Sequence, residues 1–77
     1  METTIENAIR SQARQAYAEI IEVKAKYPIS EHDKYFTKIL DRYAKKITAL
    51  PPNTFPAKLW LSYYVRQIDK EIRGQNG

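Results

Sequence analysis

Residues 56–73, PAKLWLSYYVRQIDKEIR, decide the fold, because they hold the only Trp, two adjacent Tyr and more apolar bulk than one buried face requires. At ~100° per residue, Ala57, Leu61, Tyr64, Val65, Ile68 and Ile72 fall on one stripe, the spacing of a core-facing helix. Lys58, Ser62, Arg66, Asp69, Lys70 and Arg73 make the opposite, solvated side. Leu59, Trp60 and Tyr63 fall on the flank of the stripe, as an apolar patch with no partner inside its own hairpin.

The preceding stretch, residues 50–56 (LPPNTFP), is a stiff break, since adjacent prolines restrict φ and remove backbone donors. Asn53 or Thr54 can cap the third helix, with Pro56 in its first turn. Gly74 is placed as its C-terminal stop, leaving Gln75, Asn76 and Gly77 as frayed ends. Before the break, Phe36, Ile39, Leu40, Tyr43, Ile47 and Leu50 repeat with heptad-like spacing, which predicts a second helix over about residues 31–49. Ser30 caps it, with Asp33 at the capping-box position. Lys34, Lys38 and Lys45 point outward, and Asp41 is spaced to pair with either of the last two. Tyr35 lies off this stripe.

Tyr27-Pro28 ends a first helix, because the residue before proline is pushed toward extended geometry. That helix spans about residues 4–26, opened by the capping-box pair Thr3 and Glu6. Its core stripe is Ile5, Ala8, Ile9, Ala13, Ala16, Ile20 and Val23, with Tyr27 at its end; the alanines permit close helix approach. A second strip, Arg10, Arg14, Tyr17 and Ile21, lies away from that core and reads either as side chains covering a helix edge or as a contact surface. Three amphipathic helices with short connections favour antiparallel neighbours, so the expected fold is all-α, one small antiparallel three-helix bundle forming a single domain over residues 1–77.

Seventy-seven residues leave no room for a separate catalytic domain. The chain has no Cys, which excludes disulfides and thiolate metal sites. The polar N-terminus and the lack of a long apolar run read as cytosolic unless a leader was removed. The net charge of +4 is spread: residues 30–49 carry five cations against three anions, and residues 56–73 four against two. No basic stripe of the kind a duplex binder needs stands out.

Catalytic chemistry finds no foothold. His32 is the only imidazole and reads as an exposed helix-start residue; no zinc-ligand spacing surrounds it. Ser11, Ser30 and Ser62 lack a base and a nucleophile elbow. Glu19 and Glu22 have paired-carboxylate spacing, but nothing around them suggests a dry cleft. The chain therefore reads as a non-enzyme without catalytic residues, metal site or cofactor.

Six tyrosines suit the rim of a small core or a protein interface. Two outcomes are open for the aromatic excess: a partner or second copy covers it, or Trp60 folds against the proline linker. Leu59, Trp60, Tyr63, Arg10, Arg14 and Tyr17 are the candidate partner-binding residues. Homo-oligomerisation through the aromatic flank is compatible with this surface.

Ile29-Ser30, Lys34-Tyr35, Ile39-Leu40, Tyr43-Ala44-Lys45-Lys46 and then Pro56-x-x-Leu59 before an aromatic-rich helix form a pattern that resembles the immunity proteins of pediocin-like bacteriocins. Ala16-Tyr17 with Ile20-Ile21 is similar too. The resemblance implies a cytosolic, non-catalytic helical bundle that protects a producing bacterium by acting on a sugar-transport permease engaged by the bacteriocin. That family usually has a fourth helix and a C-terminal tail, whereas this sequence ends at Gly77. The fragment Phe55-Pro56-Ala57-Lys58-Leu59-Trp60 is similar to part of the small helical nucleoid modulators of the Hha type. With outward Lys34, Lys38, Arg42, Lys45 and Lys46, it supplies the alternative expectation, a small basic nucleic-acid-associated accessory protein.

Overall fold

A computed structural model describes residues 3–48 and 50–76 of the chain. Three α-helices follow one another: α1 Thr3–Lys26, α2 His32–Ala44 and α3 Ala57–Asn76. A single 3-10 turn, Ile29–Glu31, precedes α2, and no strand occurs among the described residues. The expected small three-helix bundle is therefore the architecture.

The chain runs up, down and up. Glu19 on α1 meets Arg42 and Tyr43 near the end of α2, while Tyr27 stacks on Tyr35 near its start, with ring centroids 4.3 Å apart. Asp41 near the end of α2 pairs with Lys58 at the start of α3, at 2.9 Å. Each helix packs on α1 more extensively than α2 and α3 pack on each other. The result is a flattened body, 37 × 28 × 16 Å along its principal axes.

Ile9, Ala13, Ala16, Ile20 and Val23 of α1, Ile39 and Tyr43 of α2 and Leu61 of α3 form the buried cluster. Ile9, Ala13, Ala16 and Leu61 have no exposed surface at all. The two buried alanines, Ala13 and Ala16, leave room for neighbouring helices to approach α1 closely. Ile5, Phe36, Leu40, Tyr64, Val65 and Ile68 close the edges of this core. Ala8 lies outside it, exposed, and Ile72 is also largely exposed near the end of α3.

Several local expectations are corrected. The second helix was expected to continue to Ala49, but α2 stops at Ala44, five residues earlier; Ala49 itself lies outside the described residues. Its last carbonyls are taken up in tightened i to i+3 bonds, Lys46 N–H to Tyr43 O at 3.1 Å and Ile47 N–H to Ala44 O at 3.1 Å. Ile47-Thr48, β-branched and close to the proline pair, do not favour another turn. Ile47 and Leu50 still pack on the core from irregular backbone. The apolar repeat thus outlasts the helix.

Ser30 is not a side-chain cap. It sits inside the 3-10 turn, where Glu31 N–H bonds to Pro28 O at 3.0 Å, and neither this turn nor α2 begins with a side-chain cap bond. Glu31 is already in the right-handed region, not the extended one that a capping residue adopts. Thr3 is likewise already helical, and Glu6 pairs with Arg10 at 3.0 Å. At the third helix, Pro56 lies one residue before α3, and its carbonyl accepts from Leu59 and Trp60. Gly74 is not the stop, because α3 continues through it to Asn76 without a positive φ. An exposed glycine near a helix end costs about 1 kcal/mol relative to alanine, too little to end it. Gly77 lies outside the described residues.

His32 is half-buried, in contrast to the exposed position expected. Its Nε2 lies 2.9 Å from the Tyr27 carbonyl, so the tautomer with its N–H at Nε2 donates to the residue that follows α1. Its ring also approaches Phe36, with centroids 5.4 Å apart.

Glu19 ties α1 to α2. Its carboxylate accepts from the Tyr43 hydroxyl and the Arg42 guanidinium. The Tyr43 bond is the main reason its pKa lies below the usual carboxylate value; Arg42 adds to this and partial burial opposes it. The same bond, with burial, raises the Tyr43 pKa. A depressed carboxylate pKa means that the unfolded chain takes up the proton first as the pH falls. The contribution of Glu19 is therefore complete well above pH 4.5 and fades as acid carries the solution down through its folded pKa. At neutral pH Glu19→Gln is expected to cost about 1 kcal/mol, after discounting for its one-third-exposed side chain. Urea unfolding followed through Trp60 fluorescence should show the wild-type advantage shrinking below that pH; an advantage unchanged by pH would refute the assignment.

Candidate functional site

The aromatic group of α3 splits into a part that is used and a part that is free. Trp60 turns back toward the proline linker: its indole Nε1 donates to Thr54 Oγ1 at 3.1 Å, and its ring meets Phe55 edge-on at 6.0 Å and stacks near Tyr64 at 6.2 Å. Trp60 thus folds against the proline linker, one of the two outcomes open for the aromatic excess. Leu59 and Tyr63 are not drawn in with it. They stay 55% and 51% exposed, and Phe55 joins them at 64%. With Trp60 as floor, these three line an almost wholly apolar cleft of about 330 Å³.

Phe55 was missing from the sequence-based candidates because it lies in the linker, outside any helical period. The usable signal was its position between Thr54 and Pro56, where the short connection folds back beside the first turn of α3.

The strip Arg10, Arg14, Tyr17 and Ile21 lies outside the buried core, as expected. Most of it faces α3. The Tyr17 hydroxyl donates to Asp69 Oδ1 at 3.0 Å, and the other oxygen of Asp69 pairs with Arg73 at 3.0 Å. Burial, reinforced by that bond, raises the Tyr17 pKa. Arg10 is held by Glu6 and lies 5.4 Å from the centroid of Tyr64. Arg14 shares a polar groove with Arg10, Glu6, Glu71, Tyr63 and Tyr64. The structure therefore brings Arg10, Arg14 and Tyr63 together, while Tyr17 joins α1 to α3 and is only half-exposed. Arg10, Arg14 and Ile21 are exposed, the outward position expected of the strip.

The cations of α2 are partly occupied. Arg42 is bound to Glu19, and Arg42 and Lys46 lie 5.2 and 4.8 Å from the Tyr43 centroid. Lys34 lies over Tyr35, itself packed against the core and not off it as its spacing implied. Asp41 reaches across to Lys58 and not to Lys38 on its own helix or Lys45 just past its end. Among the described residues no group of His, Asp and Glu converges in a way that could hold a metal ion. No described helix is long and apolar enough to cross a membrane.

No protein-family model, curated protein or solved structure matches the chain.

Proposed function

We propose that this chain is a non-catalytic protein-binding module whose contact surface is the patch formed by Phe55, Leu59 and Tyr63 over Trp60. The observation that carries the reading is the clustered exposure of those three side chains around one apolar cleft, after Trp60 has been accommodated by its own linker. Contiguous apolar surface of this kind is costly to leave in water, and aromatic anchors set in a pocket are what protein interfaces use for affinity. Arg10 and Arg14, beside Tyr63, supply a polar border.

The most concrete form of the proposal is an immunity-type protein of the pediocin-like bacteriocin class, supported by the pattern from Ile29 to Leu59 described above. Its partner would then be a permease complex in the membrane, met from the cytoplasmic side. Expression in a cell sensitive to such a bacteriocin should confer protection, and Leu59→Ser with Tyr63→Ser should abolish it at equal protein level. An absence of protection, or protection that survives the double substitution, would reject this form of the proposal.

A further inference from the structure

We propose that the groove between α2 and α3, on the opposite flank of α3 from the aromatic patch, is a second docking site that takes an acidic amphipathic helix of a partner protein. The groove encloses about 520 Å³ and has an apolar floor built by Ile20 of α1, Phe36 and Leu40 of α2 and Val65 of α3. It lies where α2 and α3, both packed on α1, pack less extensively on each other. Their mutual ion pair, Asp41 to Lys58, joins the end of α2 to the start of α3 outside the groove lining, which on α3 extends from Ser62 to Arg73.

Charge complementarity identifies the occupant. Lys24, Arg66, Lys70 and Arg73 rim the floor, against a single carboxylate, Asp69. Asp69 is already engaged by Tyr17 and Arg73. Lys24, Arg66 and Lys70 are exposed and have no ion-pair partner among the described residues. An apolar trough between antiparallel helices accepts the apolar face of a third helix, and three uncompensated cations along its edge select carboxylates on the flanks of that helix. A second copy supplies no matching charge, because the border of the aromatic patch it would insert carries Arg10 and Arg14 balanced by Glu6 and Glu71. A bilayer fits poorly as well: the apolar floor is recessed, and interfacial binding needs apolar side chains that protrude.

The test uses the full chain and a fluorescent helical peptide of about 18 residues, with Leu at i, i+3, i+4 and i+7 spacing and Glu on the remaining face. A matched peptide carries Lys in place of Glu. The Glu peptide is expected to bind at least about tenfold more tightly, with an affinity that falls as salt is raised. Lys24→Glu with Arg66→Glu and Lys70→Glu should weaken it about tenfold or more, whereas Lys34→Glu with Lys38→Glu and Lys45→Glu, the same change in net charge elsewhere, should weaken it far less. Should the first triple variant fold poorly by circular dichroism, the Gln triple should still lower affinity about threefold. Equal affinity for the two peptides, equal loss in both triple variants, binding only to vesicles of anionic lipid, or self-association in place of peptide binding would each overturn the proposal.

Discussion

Leu61→Ala is expected to remove about 3 kcal/mol or more of folding stability and to lower the urea midpoint by a large fraction of its wild-type value. Leu61 is one of the two largest side chains with no exposed surface, the other being Ile9. Among the described residues it is the one residue that α3 adds to the buried cluster shared with α1 and α2. Truncating a buried leucine loses the transfer energy of its methyls and leaves a cavity that the neighbours only partly fill, which together cost about 2 to 5 kcal/mol. The whole stability of a domain this size is roughly 4 to 12 kcal/mol. A denaturation curve that moved by less than about 1 kcal/mol would mean that Leu61 is not the anchor its burial indicates.

The opposite division of effects is expected for Leu59→Ser combined with Tyr63→Ser. Both side chains are more than half exposed, so the fold loses little beyond the edge-on contacts of Tyr63 with Trp60 and Tyr64, at 6.4 and 5.2 Å between centroids. That cost is about 1 kcal/mol. Partner affinity, in contrast, should drop at least about a hundredfold, since anchors at the centre of an interface each contribute about 2 kcal/mol or more. A thermal melt and a titration on the same sample separate the two quantities. Large destabilisation with unchanged affinity would place Leu59 and Tyr63 in the core and not in the contact surface.

The fold was legible because helical periodicity and proline breaks are local signals. The stripe Ile9, Ala13, Ala16, Ile20 and Val23 could be read from spacing alone, as could Leu61 near the start of the third helix. The end of α2 could not: Ile47 and Leu50 keep the apolar rhythm while the backbone has already left the helix. What spacing assigns is the side a residue faces, not the element that covers it. Tyr35 looked unpartnered until Tyr27 folded across the turn onto it. Tyr17 and Asp69 are 52 residues apart and meet only when α3 lies along α1. The candidate site shows the same limit. Leu59 and Tyr63 were visible as residues left over from a helical stripe, but Phe55, in the linker, follows no period. The cationic rim of Lys24, Arg66 and Lys70 draws on two helices and emerges only from their packing.

The central claim is that the patch around Tyr63 meets another protein while the opposite surface of α2 does not. A photo-crosslinking residue placed at position 63 in the native host tests it most directly, with the same residue at position 38 as the control. Position 63 is predicted to yield a discrete adduct that Leu59→Ser removes, and position 38 is predicted to yield none. No adduct at position 63, or the same adducts from both positions, would contradict the account.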